Sequence, residues 1–411
     1  MRDPGPRRAS VAASVGRGSM NILLLAPHPF FQERGTPIAV NLLLKVLSEH
    51  GHTVDVLTYH IGTDVAHRNV AIHRIRNIRS IRTIRPGFSL KKIICDVFML
   101  ADAFKMARGG RYDVIHAVEE SVFMASMIRR FLGIPYVYDM DSSMPRQIAE
   151  KTPLFRIFLP FMRWCERRAI RRAMAVVTMC DSLAKVARDA GATRILVLND
   201  ISLLEPAPAD ARVETRTRLR VSGPCFVYAG NFEKYQGVEM MMKSFAILLK
   251  SVENATLVIA GGTEQDVLEY TGKAVALGID HSTRFTGPWP AKTLSSLFAA
   301  ADVVVSPRTQ GDNTPMKIYS CLDSGKAVLA TDMPAHTQVL SADVAMLAMP
   351  EPAAFAAAML RLATDPELRA ALGQKGKQLA MKEYSFDAFR RKATGFYKEI
   401  AAQTKSATAV A

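Results

Sequence analysis

The stretch RTQGDNTPMKIYSCLDSGKAVLAT, residues 308–331, contains the alternation that decides the fold. An apolar run at 301–306 precedes it, and its last six residues form a second apolar run. Between the two runs, Thr314-Pro315 is a typical helix start, because threonine can cap a helix and proline suits its first position. Gly325 is a typical stop. The pattern predicts strand, loop, short helix and strand, which is one unit of a parallel α/β sheet.

Lys317 is unusual because it falls in the first turn of this predicted helix. The helix dipole disfavours a cation there and favours an anion. A helix start beside a loop of small residues also offers free backbone N–H groups to phosphate. A bound diphosphate would supply the missing negative charge, although a lysine that simply reaches water remains an alternative.

The same helix start occurs in the first half of the chain. The segment RGTPIAVNLLLKVLSEHG contains Gly35, followed by Thr36 and Pro37 at the predicted helix start. In open α/β sheets, such loops line the crevice at the carboxyl ends of the strands. Two domains of this kind are expected to hold an anionic ligand between them.

Apolar strand-like runs alternate with helix-period segments through both halves, which predicts two α/β domains with parallel sheets. The predicted strands of the first half lie at 21–26, 53–58, 114–116, 136–138, 175–179 and 194–198. Those of the second half lie at 225–229, 255–260, 283–286, 303–306, 327–330 and 345–348.

Changes in composition divide the chain into segments. The N-terminal residues are rich in Arg, Ser, Gly and Ala, and Met20 begins the first strand. A segment rich in Pro, Ala and charge separates the two halves. We predict a disordered leader at 1–19, an N-terminal domain at 20–200, a linker at 201–222, a C-terminal domain at 223–383, a helix at 384–402 and a frayed tail at 403–411.

The overall composition is that of a globular protein. With 411 residues, of which 49% are hydrophobic and 22% charged, the chain can bury two cores and is not disordered. Five scattered cysteines without a C-x-x-C pair argue against a disulfide framework or a zinc site and favour a reducing cytosol. No apolar run reaches the roughly 18 residues of a membrane-spanning helix.

A series of longer segments carries a family resemblance. In chain order they are NILLLAPHPFFQERGTPIAVNLLLKVLSEHGHTVDVLTY, YDVIHAVEES, AVVTMCDSLAKVA, ILVLND, FVYAGNFEKYQGVEMMMKSFAIL, LVIAGG, FTGPWPAKTLSSLFAAADVVVSP, SGKAVLAT and YSFDAFRRKATGFYKEI. Over residues 20–400 this order resembles the GT-B glycosyltransferases of the large retaining family 4. The resemblance implies two Rossmann-like doubly wound domains facing across a cleft, with a C-terminal helix that crosses back to the N-terminal domain. It also implies a nucleotide-diphosphate-sugar as substrate, and no metal or other cofactor.

The resemblance places the donor site at strand ends and helix starts, with departures from the family's pattern. Asn231 and Gln236 stand where the family has two phosphate-binding cations, and Ser320 stands where it has the second of two acids. Lys317, with Lys234 or Arg308, is the candidate replacement for the lost cations. The predicted donor-binding residues are Gly35, Thr36, Gly230, Asn231, Lys234, Gln236, Gly261, Arg308, Asn313, Thr314, Lys317 and Ser320.

The predicted catalytic residues are Asp312, near the sugar hydroxyls, and His116, at the end of a predicted strand. The predicted acceptor-binding residues are Glu119, Asp139 and Asp141, which follow strands of the first half. Structural alternatives remain open: a hydrogen-bonded histidine at a strand end, a solvated helix start for Glu119, and a helix cap for Asp141.

The net charge of +15 is concentrated in residues 1–200, where 30 Lys and Arg face 17 Asp and Glu. Stretch 67–92 interleaves arginine with isoleucine, and stretch 156–172 combines arginine with bulky apolar residues. Such clusters suit an anionic membrane surface, where each cation contributes on the order of 1 kcal/mol. The alternatives are a solvated basic surface and nucleic acid, for which no motif is present. The predicted membrane residues are Arg74, Arg76, Arg79, Arg82, Arg85, Arg167, Arg168, Arg171 and Arg172.

The resemblance implies a retaining, metal-independent hexosyltransferase. The cysteine usage and the charge distribution predict a protein that is cytoplasmic and peripheral on the inner membrane face, with a lipid or lipid-linked acceptor and no nucleic-acid partner. Two alternatives stay open. One is a soluble glycosyltransferase acting on a small molecule or polysaccharide. The other is a non-catalytic protein that binds sugar nucleotide, which the departures at Asn231, Gln236 and Ser320 motivate.

Overall fold

The computed structural model describes residues 19–32, 35–84, 89–109, 111–143, 145 and 157–410, so the predicted leader lies outside it except for Ser19. The chain forms two compact units. Unit 1 contains the described residues up to Met179, Leu183–Leu198 and the residues from Arg390 onward. Unit 2 contains Cys180–Ser182 and Asn199–Phe389.

Unit 1 is built on a sheet of seven parallel strands in the spatial order β3-β2-β1-β4-β5-β6-β7. Because β4 pairs with β1 and not with β3, the strand order reverses between β1 and β4. The strands are β1 (Asn21–Ala26), β2 (Thr53–Thr58), β3 (Val70–Arg74), β4 (Val114–Val118), β5 (Tyr136–Met140), β6 (Ala175–Thr178) and β7 (Ile195–Val197).

Unit 2 repeats this arrangement with six parallel strands in the order β10-β9-β8-β11-β12-β13. Its reversal lies between β8 and β11. Both sheets follow the doubly wound order of Rossmann-like domains. The strands are β8 (Cys225–Ala229), β9 (Thr256–Ala260), β10 (Thr283–Gly287), β11 (Val303–Ser306), β12 (Ala327–Thr331) and β13 (Met346–Ala348).

Helices connect most of the successive strands, as parallel pairing requires. They are α1 (Gly35–Glu49), α2 (Leu90–Ala107), α3 (Ser121–Leu132), α4 (Leu159–Arg172), α5 (Asp181–Asp189), α6 (Ala211–Arg218), α7 (Val238–Leu249), α8 (Glu264–Ala276), α9 (Leu294–Ala300), α10 (Lys317–Asp323), α11 (Pro334–Thr337), α12 (Pro352–Thr364), α13 (Pro366–Glu383) and α14 (Phe386–Val410).

Both faces of the unit 2 sheet are covered, which explains its continuous apolar strands. Along β8, Phe226 and Tyr228 belong to one buried cluster, whereas Cys225 and Val227 belong to the other. The alternation follows from successive side chains pointing to opposite faces of a strand. None of the helices in the described ranges has the length and apolar content needed to cross a membrane.

The predicted α/β fold is confirmed, and each predicted strand is present with ends that shift by at most two residues. β3 is the strand that the prediction missed. It lies inside the basic stretch 67–92, whose isoleucines we expected at a membrane. Ile75, Ile81 and Ile84 are instead buried in unit 1, so that part of the interpretation is wrong.

Several predicted boundaries differ from those in the structure. The predicted linker contains α6, whose Arg212 and Arg216 form salt bridges of 2.8 and 3.1 Å with Asp302 of unit 2. α10 begins at Lys317, and Thr314 does not cap it, because the buried Thr314 Oγ1 has no hydrogen-bond partner among the described residues.

α14 brings a late part of the chain into unit 1. It continues to Val410, beyond the predicted end at residue 402. From Arg390 onward its residues group with unit 1, where Tyr397 and Ile400 are buried. The expected return of the C-terminal helix to the N-terminal domain is therefore confirmed.

Candidate functional site

The candidate site of unit 2 lies where the strand order reverses. The loop after β8 carries Gly230 and Asn231, and the loop after β11 carries Arg308 and leads to α10. Open α/β sheets bind ligands at this position, in the crevice beyond the carboxyl ends of the strands. The fold therefore gathers most of the predicted donor-binding residues at one edge of one sheet.

Lys317 is the central cation of this site. Its Nζ donates a hydrogen bond of 3.1 Å to Gln236 Oε1 and lies 4.1 Å from the ring centroid of Tyr228. No described carboxylate lies within salt-bridge distance of Nζ. Burial, opposed by Cys321 and assisted by the charge of Arg308, lowers the pKa of Lys317 to about 7. An ammonium in this environment gains strongly from an added anion.

Gly230 and Gly261 allow the backbone to approach this cation. A Cβ on Gly230 would lie 2.8 Å from Tyr228 Oη and 3.2 Å from Lys317 Nζ. A Cβ on Gly261, whose φ is 121°, would lie 1.9 Å from the carbonyl oxygen of Gly230. Both positions therefore disfavour a side chain, because other atoms of the site already occupy the space that it would need.

Arg308 is the second cation of the site. It donates a hydrogen bond of 2.6 Å from Nη1 to the carbonyl oxygen of Asn313, and its guanidinium carbon lies 5.0 Å from the ring centroid of Tyr235. Its buried Nε has no hydrogen-bond partner within the described ranges. Burial lowers the pKa of Arg308, which nonetheless remains charged.

A buried hydrogen-bond network that the sequence did not reveal holds the loop after β11. His336 is fully buried, its Nε2 lies 2.9 Å from Ser306 Oγ, and its Nδ1 lies 2.9 Å from the carbonyl oxygen of Thr331. The carbonyl can only accept, so Nδ1 donates and Nε2 accepts. Thr331 Oγ1 in turn donates to the carbonyl oxygen of Arg308. Burial lowers the pKa of His336 to about 4, so the network is neutral at pH 7.

A groove of about 1080 Å³ runs from Gly230 along the ends of β8, β9 and β10. Asn231, Lys234 and Gly261 line it, together with Trp289 and other residues of the loop after β10. Asn231 and Lys234 are exposed there. The groove is large enough for a nucleotide-sized ligand, and it begins at the glycine that adjoins Lys317.

Thr314 and Ser320, two further predicted donor residues, lie just before and within α10. Ser320 is only 9% exposed, and Thr314 is buried. The side chain of Asp312, a predicted catalytic residue, is exposed. Gly35 and Thr36 begin α1 and belong to unit 1.

In unit 1, the reversal of strand order places His116 in a buried chain of hydrogen bonds. Its Nε2 lies 3.0 Å from Asp139 Oδ2, and its Nδ1 lies 2.6 Å from Tyr397 Oη of α14. The neutral ring can donate from Nε2 to the carboxylate and accept from the hydroxyl at Nδ1. His116 is fully buried and both nitrogens have partners, so the geometry favours the structural alternative over the predicted catalytic role. Asp139 remains partly exposed at the sheet edge.

Glu119 lies in a second charged cluster at the end of β4. It adopts an unusual positive φ of 49°, and its Oε2 lies 3.8 Å from Lys92 Nζ. Lys92 also pairs with Glu120, and Asp96 accepts a hydrogen bond from Tyr59. Burial and the nearby Glu120 together raise the pKa of Asp96 to about 7. The cluster fixes α2 against the loop after β4.

Asp141 lies beyond β5 and is partly exposed, but most residues that follow it, through 156, lie outside the described ranges.

The predicted membrane arginines divide into two groups. Arg74 bonds to Asp64 at 2.6 Å and to two backbone carbonyls, and Arg171 donates to the carbonyl oxygen of Ala190, so both have structural roles. Arg74 in particular contradicts its assignment to a membrane. Arg172 is half-buried, and Arg85 lies outside the described residues. Apart from Arg171, the exposed members are Arg76, which also stacks on Phe98, and Arg79, Arg82, Arg167 and Arg168.

Chemically, unit 2 offers Lys317, which adjoins Gly230 at the head of a groove, and Arg308, which is near enough to interact with Lys317 electrostatically. Two cations so placed suit a phosphate-bearing ligand. No three described His, Cys, Asp or Glu side chains are grouped so that they could hold a metal ion. Sequence reasoning missed Tyr228, His336 and Tyr397. The alternation of side chains along a strand could have indicated Tyr228, because it precedes Gly230 by two residues. It could not have indicated His336 and Tyr397, whose roles depend on contacts between distant segments of the chain.

Comparisons with known proteins agree with this geometry. Residues 34–199 match the glycosyl transferase 4-like domain, and residues 214–379 match glycosyl transferases group 1. An alpha-D-kanosaminyltransferase of Streptomyces kanamyceticus is 26% identical over 293 residues, which are 68% of this chain and 74% of that protein. A D-inositol 3-phosphate glycosyltransferase of Corynebacterium efficiens is 25% identical over 252 residues, 58% of this chain and 59% of that protein.

Solved structures share the fold at lower identity. The sucrose-phosphate synthase of Thermosynechococcus elongatus superposes with a TM-score of 0.75 at 18% identity, covering 93% of this chain and all of that one. Anabaena HepE in complex with UDP-glucose gives a TM-score of 0.69 at 17% identity, covering 92% of this chain and all of that one. Together, the paired doubly wound sheets and the two family matches show that this chain belongs to the glycosyl transferases group 1 family, with the GT-B fold.

Proposed function

We propose that this glycosyltransferase transfers a hexose from a nucleotide-diphosphate-sugar to a lipid or lipid-linked acceptor at the cytosolic face of a membrane. It retains the anomeric configuration and uses no bound metal. The observation that carries the proposal is Lys317, a mostly buried ammonium at the end of a ligand-sized groove, with Arg308 beside it and no described carboxylate to neutralise it.

A diphosphate matches this site in charge and position. Its oxygens can accept from Lys317 Nζ, which adjoins Gly230, while the nucleoside follows the groove towards Trp289. HepE, which shares the fold, binds UDP-glucose. Asn231 and Gln236 fit this arrangement, because Gln236 orients the ammonium that replaces the family's cations.

In the reaction, the bond between the anomeric carbon and the diphosphate oxygen breaks, and the acceptor oxygen bonds to that carbon from the same face. The departing diphosphate accepts the acceptor's proton, as the family resemblance implies. The main task of Lys317 and Arg308 is to stabilise the charge that develops on the diphosphate. Asp312 is assigned to the sugar hydroxyls, and Glu119, Asp139 and Asp141 to the acceptor.

The membrane-linked acceptor is supported by charge. The excess of basic residues lies in the first half of the chain, and Arg79, Arg82, Arg167 and Arg168 of unit 1 are exposed. An anionic lipid surface attracts such residues. A small soluble acceptor is the second candidate, and it is favoured by the relative named D-inositol 3-phosphate glycosyltransferase.

A thermal-shift screen with UDP-glucose, GDP-mannose and ADP-glucose tests the donor assignment. We expect one of them to raise the melting temperature of the wild type and of Lys250→Ala, a control at an exposed lysine next to α7. Lys317→Ala should show no shift. An equal shift in Lys317→Ala would mean that the diphosphate binds elsewhere.

Product analysis separates the functional alternatives. Incubation with the stabilising donor and a lipid extract should release nucleoside diphosphate, with the same yield in EDTA, and nuclear magnetic resonance should find the product with the donor's anomeric configuration. Release with soluble sugars or inositol phosphates, and not with lipid, would favour the small acceptor. Donor binding without release under either condition would identify a non-catalytic protein.

A further inference from the structure

The outward side of α2 is apolar where a surface helix is normally polar. Leu90, Ile93, Ile94 and Val97 follow the i, i+3, i+4, i+7 spacing of one helix face, and all four are exposed, Leu90 by 75% and Val97 by 62%. The inward side of the same turns carries Lys92, paired with Glu120. The first turns of α2 therefore have their apolar face towards the outside of unit 1.

Two neighbouring helices extend this apolar surface. α3 contacts both α2 and α4, and the ring centroids of Phe104 in α2 and Phe131 in α3 lie 6.2 Å apart. Phe131 is 68% exposed. At α4, Phe161 and Trp164 are stacked with centroids 6.0 Å apart and are 64% and 57% exposed.

The exposed apolar residues of the protein are concentrated here. Of the seventeen exposed large apolar side chains among the described residues, ten lie on α2, on α3, or on α4 and the two residues before it. The other seven, all in unit 2, are spread over four helices and two loops, and such scattered residues need no explanation. The ten are Leu90, Ile93, Ile94, Val97, Met127, Phe131, Ile157, Phe158, Phe161 and Trp164.

The charge that surrounds this surface is of one sign. The acids of the three helices are Asp96, Asp102 and Glu166, and none of them is exposed. Glu166 accepts a hydrogen bond from Ser143, and Asp96 accepts one from Tyr59. The exposed charged residues on the three helices and at their ends are Lys91, Lys105, Arg108, Arg129, Arg130, Arg163, Arg167, Arg168 and Arg171.

We propose that α2, α3 and α4 form one docking surface, and that its occupant is an anionic lipid bilayer. The apolar side chains enter the interface, while the surrounding cations contact the lipid headgroups. This inference rests on the proposed function, and it adds a helix surface to the exposed Arg79 and Arg82 as the contact region. Lys92 and Glu119 then connect the docked α2 to the loop after β4, where the acceptor is assigned.

Other occupants fit less well. A second copy of the chain would bring two surfaces of the same sign together, which costs free energy. Nucleic acid would be attracted by the cations but would leave the aliphatic residues of α2 without an apolar partner. A bilayer satisfies both the charge and the apolar area.

The test uses the full chain and vesicles of phosphatidylcholine with or without phosphatidylglycerol. Two apolar residues of α2 have close counterparts on α8 of unit 2, because Leu268 is 76% and Val275 60% exposed. Leu90→Ser/Val97→Ser is therefore compared with Leu268→Ser/Val275→Ser. We expect the α2 pair to weaken binding to the anionic vesicles by at least about tenfold, and the α8 pair to change it less than about twofold.

A fluorescence measurement locates the contact directly. The chain has two tryptophans, so Trp289→Phe leaves Trp164 as the single reporter. We expect its emission to shift to the blue with anionic vesicles and to be quenched by brominated lipid. An unchanged emission, equal binding to pure phosphatidylcholine, or equal losses in the two serine pairs would overturn the proposal.

Three further outcomes are separable. If the α2 pair abolished a self-association seen by analytical ultracentrifugation, the surface would belong to a second copy, and if it abolished an RNA gel shift, to nucleic acid. If vesicle binding failed while the donor-induced thermal shift persisted, the docking surface would be wrong and the donor assignment would stand.

Discussion

Replacing Lys317 with methionine should abolish donor binding and at the same time stabilise unit 2. Methionine has a similar length and no charge, so it keeps most of the contact with the ring of Tyr228. It removes the ammonium that we assign to the diphosphate, and with it the free-energy cost of keeping that ammonium away from water. The two effects have opposite signs, which makes the combination specific to a buried binding cation.

The size of the stability gain follows from the pKa of Lys317. Its decrease from 10.5 to about 7 costs the folded state on the order of 4 kcal/mol at pH 7. The substitution also leaves Gln236 without its donor, which costs about 1–3 kcal/mol. The net gain should therefore be about 1–3 kcal/mol. Between about pH 7 and 10.5, Lys317 binds a proton in the unfolded chain but not in the folded protein. The stability of the wild type therefore falls as the pH falls through this range, and the stability gain from Lys317→Met should shrink towards pH 10.

Chemical denaturation followed by Trp289 fluorescence in a Trp164→Phe background measures unit 2 alone, because Trp289 lies in that unit. Calorimetric titration with the stabilising sugar nucleotide measures donor affinity. Lys250→Met, at an exposed position, should change neither quantity beyond about 0.5 kcal/mol. A Lys317→Met protein that is less stable than the wild type, or that keeps its donor affinity, would refute the reasoning.

Two further predictions follow from buried polar groups. Donor affinity should fall by up to about tenfold per pH unit above pH 7, because Lys317 must then take up a proton to bind the diphosphate. Titration calorimetry in buffers of different ionisation enthalpy would detect the uptake of that proton. A donor affinity that stayed constant from pH 7 to 9 would exclude it. Tyr397→Phe should lower the free energy of unfolding of unit 1 by about 1–3 kcal/mol, because His116 Nδ1 loses its hydrogen-bond partner in the core. The control Ser406→Ala, on the exposed side of the same helix, should have little effect. Equal effects of the two substitutions would show that the buried hydrogen bond contributes nothing.

Most of the fold could be predicted from local patterns. Runs such as 22–26 and 303–305 are buried on both faces of a parallel sheet, so they are apolar without interruption and easily recognised. β3 is an edge strand with a single neighbour, and its sequence, VAIHR, lacks that signature. The sequence also led us to assign the buried isoleucines of 67–92 to a membrane, because half-buried edge segments alternate as membrane-facing segments do.

The candidate site was predictable in part. Lys317 could be identified because a first-turn cation conflicts with the helix dipole, and the structure gives it a position without a described carboxylate partner. The roles of His116 and His336 could not be predicted, because their partners come from α14 and from the strand and loop ends of unit 2. A histidine at a strand end has the same local sequence whether its ring faces a substrate or a buried tyrosine.

The path of α14 has a consequence for how the protein is made. Residues 390–410 pack into unit 1 but are synthesised after all of unit 2. While the ribosome translates unit 2, Tyr397 has not yet been synthesised, so the imidazole of His116 lacks its tyrosine partner and the core of unit 1 is incomplete. The first unit to be synthesised is therefore the last to be completed, and a premature stop codon near residue 389 would damage the N-terminal half while leaving the preceding unit 2 almost whole.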